Sequence, residues 1–168
     1  GYTRTGSGVR FQCQTAAGDT VAFQVSVIQP DVLRVQASRG DIHPASSEML
    51  VQDSWPTPDF TLQESGDTVV LTTDRVQAVF HRFPWQMQVF HVAAGPTDLP
   101  FFSQSNEDRS YGPDFEVPPV GFSPLGEDGW SVHEAVNIQP DEAFYGFGEK
   151  FTPLNKRGDE IVAWAVDS

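Results

Sequence analysis

TVAFQVSVI, Thr20 to Ile28, decides the fold class. Val21, Phe23, Val25 and Val27 occupy every second position. Successive side chains on a strand point to opposite faces, so this period puts all four on one side of a sheet. The run before it repeats the pattern. In VRFQCQT, Val9, Phe11 and Cys13 face one way, and Arg10, Gln12 and Gln14 the other. Ala16 to Asp19, AAGD, is short enough to join the two runs as a hairpin.

The same rhythm continues outward. VLRVQAS (Val32 to Ser38) reads as a third strand. FTLQES and TVVLTT are separated only by Gly66 and Asp67, which is a second hairpin. VQAVFHR and QMQVFHV flank Phe83, Pro84 and Trp85 as a third. AAGPTDLP makes a further turn, and WSVHEAV a further strand. Val117 to Pro124, VPPVGFSP, is proline-rich and reads as a loop, because proline cannot donate to a ladder. Ser103 to Pro119 reads as a long irregular excursion, with an edge strand around Tyr111 to Val117. No window carries apolar residues at helical spacing, and there is no internal repeat. About ten short strands at this turn spacing predict an all-β, antiparallel sandwich.

Composition narrows the function classes. The 168 residues are one domain's worth, with 39% hydrophobic residues and 13 Phe, which suits a packed core and not a disordered chain. Net charge is −13. Most of it lies from Asp98 onward, net −10, against −3 for the part before it. A nucleic-acid partner is not expected, since phosphate binding needs a basic face. No apolar run approaches the roughly 20 residues of a membrane-spanning helix, so no membrane partner is expected either. The single Cys13 excludes an intramolecular disulfide and reads as a small core residue. One cysteine suits a cytoplasmic setting without deciding localisation. No signal peptide is visible, although Gly1 is not a natural start.

Few residues form a chemical constellation. His43, His81, His91 and His133 show no metal-ligand spacing; His81 and His91 fall on neighbouring predicted strands, which leaves open that they meet. TGSG near the N-terminus lacks the spacing of a nucleophile elbow, and GFGEK lacks that of a phosphate loop. Glycoside hydrolysis needs two carboxylates facing one another across a bond. Adjacent pairs such as Asp141-Glu142 and Asp159-Glu160 do not provide that, because neighbours diverge on a strand and meet water on a turn. No catalytic residue and no cofactor or metal is therefore assigned. Trp55, Trp85, Trp130, Trp164, Tyr111 and Tyr145 are the candidates for stacking on sugar rings, with core packing as the ordinary alternative.

The C-terminal stretch is the most specific. FYGFGE (Phe144 to Glu149) is followed by KFTPL (Lys150 to Leu154), by Lys156-Arg157-Gly158, and by Trp164-Ala165-Val166-Asp167. In this order and spacing the segment resembles glycoside hydrolase family 31. That family carries F-Y-G-L-G-E-R-F-x-P-L-x-K-R-G and then W-N-x-D where its N-terminal sandwich leads into the catalytic barrel. Phe147 stands here for the usual Leu, Lys150 for Arg, and Ala165 for Asn. The specific match covers Ala143 to Ser168, with looser similarity from Val76 to Leu99.

The resemblance implies a galactose mutarotase-like supersandwich over residues 1–142, with 143–168 closing it and leading toward a (β/α)8 barrel. Such a barrel takes roughly 250 residues, and its carboxylates sit on its own loops, so this chain does not contain it. The chain is thus expected to be a non-catalytic N-terminal domain of an α-glucosidase or α-xylosidase, inactive alone. Its partners would be that barrel and an α-linked oligosaccharide or glycoside. The implied roles are structural for Glu149, Lys156 and Arg157, and substrate binding on the leaving-group side for Asp167. Two other readings remain: a free-standing carbohydrate-binding module, and a small aldose epimerase.

Overall fold

The structure, a computed structural model, describes residues 1–15, 18–43, 55–92, 99–105, 118–125, 129–147 and 152–161. The chain divides into two compact units, Gly1–Val136 and Asn137–Ser168. The first is all β. Its strands are β1 (Tyr2–Thr5), β2 (Gly8–Gln14), β3 (Thr20–Gln29), β4 (Val32–Ser38), β5 (Thr61–Ser65), β6 (Thr68–Thr72), β7 (Val76–Arg82), β8 (Trp85–His91), β9 (Phe102–Ser103), β10 (Val120–Leu125) and β11 (Gly129–Glu134). They form a four-stranded sheet, β1-β2-β3-β4, a five-stranded sheet, β5-β6-β7-β8-β9, and a two-stranded ribbon, β10-β11. Every strand pair is antiparallel and every neighbour is sequential, as short turns require.

The alternating residues do what their period predicts. Val9, Phe11, Phe23, Val25 and Val27 of the first sheet pack on Val69, Leu71, Val76, Ala78, Phe80, Met87 and Val89 of the second. Aromatic rings bridge the layers. The Phe11 centroid lies 4.9 Å from Phe80 and 5.1 Å from Trp85, and Phe23 lies 4.8 Å from Trp85 with the rings edge to face. Such tilted contacts add about 0.5–1.5 kcal/mol per pair beyond area burial. Cys13 is half-buried against this core.

β3 departs from simple alternation, because Ala22 and Ser26 on its other face are buried as well. A hydrogen-bonded row covers that face. The Arg10 guanidinium donates to Gln24 Oε1 from two nitrogens, at 2.9 and 2.7 Å, and Gln24 Nε2 donates to Ser26 Oγ.

The two open sides of the sandwich differ. Where β1 meets β5, Tyr2 donates its hydroxyl to Glu64 at 3.1 Å, and the Arg4 guanidinium lies 4.3 Å over the Phe60 ring. Glu64 also pairs with Arg82 at 2.9 Å. Where β4 faces β8 and β9, an apolar cleft of about 310 Å3 remains, lined among others by Val32, Leu33, Val89, Phe101 and Phe102.

One reading of the sequence needs correction, and one open question is answered. Val120–Leu125 is a strand and not a loop. Pro124 fits because the ribbon has only two strands, so a position without an N–H is tolerated where it points away from the partner. His81 and His91 do sit on adjacent strands, but register separates them. His81 is opposite Gln86 near the turn, whereas His91 is opposite Val76 at the far end. The edge strand expected at Tyr111 to Val117 lies outside the described residues.

Candidate functional site

The second unit carries the motif-like segment, and its described part is 137–147 and 152–161. Asn155 organises it. Its Oδ1 accepts from the backbone N–H of Phe144 and of Arg157, both at 3.1 Å. The Lys156 N–H donates to the Phe144 carbonyl at 2.7 Å, so residues 155–156 lie against residue 144.

The two cations then act as cross-ties. Lys156 is buried, with its ammonium donating to the Thr152 hydroxyl, the Thr152 carbonyl and the Pro153 carbonyl. Three donors on one nitrogen meet three oxygens, which uses its full capacity. Arg157 reaches across instead. Its Nη1 donates to the carbonyls of Gln139 at 2.7 Å and Glu142 at 2.6 Å. Glu142 closes the turn by accepting from the Gln139 N–H at 2.9 Å. Bonds from an ionised donor are roughly twice as strong as neutral ones, so the two cations brace the loop from both sides.

What the brace presents is apolar. Tyr145 is 62% exposed, Phe147 55% and Leu154 78%. Gly146 and Phe147 both have positive φ, 103° and 66°. Glycine adopts that region freely, but a phenylalanine there is strained. Local strain of this kind persists only when the surroundings hold it.

Other sequence candidates fall elsewhere. Trp85 lies in the core cluster, and its Nε1 donates to Gln104 Oε1 at 3.0 Å. Trp130 has the Arg39 guanidinium 3.5 Å over its ring, and Trp55 is half-buried with Arg34 at 5.7 Å. Glu142 is engaged in its turn, and Asp159 follows Lys156 in another, donating its N–H to the Lys156 carbonyl. His81 hydrogen-bonds Gln88, His91 stacks on Phe101 at 4.4 Å, and His133 lies against Gly121. No three or more His, Cys, Asp or Glu side chains converge on a metal position among the described residues. No helix there is long and apolar enough to cross a membrane. Asp167, Trp164, Tyr111 and Glu149 lie outside the described residues. Sequence reasoning overlooked Asn155 and Gln104, single amides in irregular segments with no periodic signal.

Most of the chain matches a known domain. The model of the glycosyl hydrolase 31 N-terminal galactose mutarotase-like domain fits residues 22–168. The chain belongs to this family.

Solved structures agree on the fold of this family 31 domain. An uncharacterized protein of Listeria monocytogenes superposes with a TM-score of 0.69 at 19% identity, covering 95% of this chain and 13% of that one. A family 31 dextranase of Flavobacterium johnsoniae, complexed with isomaltotriose, gives 0.65 at 23%, covering 95% and 17%. A family 31 α-xylosidase of Xanthomonas citri gives 0.68 at 26%, covering 94% and 16%. The chain therefore spans only 13–17% of the length of these relatives. No curated protein matches it.

Proposed function

We propose that this family 31 domain is the non-catalytic N-terminal part of a retaining α-glycosidase. The full-length enzyme would hydrolyse a terminal α-linked glucosyl or xylosyl residue through a covalent glycosyl-enzyme intermediate. The domain packs on the catalytic barrel and lends it a loop on the substrate side. The observation that carries this is the braced loop. Its hydrogen bonds are directed inward by Asn155, Lys156 and Arg157, while Tyr145, Phe147 and Leu154 stand outward. Apolar side chains on a rigid loop suit a surface that another domain covers. The dextranase complexed with isomaltotriose and the α-xylosidase support an α-glycoside as the substrate class.

Asp167 is the substrate-side residue of this reading, through its place in the Trp-x-x-Asp pattern. A carboxylate accepts two hydrogen bonds from vicinal hydroxyls, which suits a sugar. The test compares the chain alone with the full-length enzyme on p-nitrophenyl α-glucoside and α-xyloside. The chain alone should release no nitrophenol, and the full enzyme should turn over one of the two. Turnover by the chain alone, or by neither, overturns the proposal. In the full enzyme Asp167→Ala should raise KM for a disaccharide several-fold while sparing the nitrophenyl substrate. An unchanged disaccharide KM removes Asp167 from the site.

A further inference from the structure

β4 and β9 end their sheets on the same side of the sandwich, since residues of both line one cleft. Beyond that cleft the β10–β11 ribbon is fastened to both layers. At one end of β11, Trp130 lies under the guanidinium of Arg39, the residue that follows β4. Arg39 is itself held by Asp19 at 3.0 Å. At the other end, Glu134 accepts from Gln104 Nε2 at 2.8 Å, and Gln104 directly follows β9. Trp130 to Glu134 is four steps of strand, roughly 13 Å at the usual rise, against about 10 Å between packed sheets. The ribbon is thus long enough to reach from one layer to the other.

Between its ends the ribbon buries little. Among the described residues Trp130 and Val132 are exposed, Phe122 is half-buried, and Val120 packs against the main core. A two-stranded ribbon is marginal by itself in water. Its attachment depends on the fasteners. Gln104 is fully buried, and its Oε1 accepts from Trp85 Nε1 and the Met87 N–H, both at 3.0 Å, which turns the amide nitrogen toward Glu134. The Ser105 N–H adds a bond to the Ala135 carbonyl at 2.8 Å.

We propose that β10–β11 is a strap that opens as a unit while the sandwich stays folded, and that Gln104 and Arg39 are its two fasteners. Opening detaches the strand that leads directly into the second unit. It also extends the exposed side of the sandwich beyond the existing apolar cleft.

Hydrogen–deuterium exchange of the intact chain tests this. Amides of Val120–Leu125 and Gly129–Glu134 should exchange about 100-fold or more faster than those of Val76–Arg82 in the central β7. Gln104→Leu should speed the strap by a further factor of about 10 or more and β7 by less, since it also orphans the Trp85 Nε1 and Met87 N–H donors in the strand beside β7. Arg39→Gln should speed it about 3-fold or more by removing the cation over Trp130. Arg39 is a surface residue, so this variant decides the question if Gln104→Leu does not fold. Equal exchange of strap and β7 in the wild type overturns the proposal. So does a uniform acceleration of all strands by Arg39→Gln, or no acceleration at all.

Discussion

Gly121 lies beneath the imidazole of His133, its register partner across the ribbon. A β-carbon at 121 would overlap the ring, because the close approach of β10 and β11 there needs the missing side chain. Gly121→Ala should cost about 1–3 kcal/mol through this clash. Hydrogen exchange of the ribbon amides will measure it, and adding His133→Ala should return part of the loss; unchanged ribbon exchange in Gly121→Ala refutes the contact. Lys156 presents the opposite case. Lys156→Met keeps the stem but strips three oxygens of their donor, a cost of about 1–3 kcal/mol borne locally. Limited proteolysis should cut faster near residues 152–156 in this variant, with the sandwich fragment left intact. Cys13 adds a pH dependence. Burial raises its thiol above the ordinary value of 9.0. The unfolded chain releases that proton first, so stability falls as pH rises through 9 and toward the folded value. Denaturation midpoints at pH 7 and pH 10 should show this extra decline in the wild type and not in Cys13→Ala.

Individual strands divide into those that hold the fold and those that finish it. Phe80 of β7 is fully buried between Phe11 and Trp85, so Phe80→Ala should cost about 3–5 kcal/mol. Glu64→Gln, at the half-exposed pair with Arg82, should cost under about 1 kcal/mol. Urea midpoints for the two variants check the ranking, and similar losses would contradict it. The strands that matter most here were also the most legible. Val21 to Val27 and Val9 to Cys13 announce themselves by period two, since only one face of each strand packs on the apolar core. β10 is illegible in the sequence because the prolines in and before it read as strand breakers, whereas a two-stranded ribbon tolerates a proline whose missing N–H faces away from the partner. The separation of His81 from His91 needed the hairpin register, which adjacency alone does not supply. The structural parts of Lys156 and Arg157 followed from a motif, whereas Asn155 and Gln104 act through geometry that no spacing records.

For the whole molecule, the question is whether the sandwich binds sugar by itself. The tryptophans that invited that reading are committed elsewhere where the structure describes them: Trp85 to the core, Trp130 to Arg39, and Trp55 half-buried beside Arg34. Isothermal titration of the chain with maltose, isomaltose or a xylosyl oligosaccharide should therefore give no heat above dilution at millimolar ligand. Saturable heat with any of them would favour a carbohydrate-binding module over a domain that works only with its barrel. A larger consequence follows from Pro124. An edge strand with a full row of free donors and acceptors is a template on which foreign strands can grow. A residue without an N–H interrupts that row in β10, so two copies of the protein cannot zip edge to edge along its whole length. The proline that hides this strand in the sequence also breaks its free edge, so Pro124→Val should shorten the lag before fibrils appear in a thioflavin fluorescence assay.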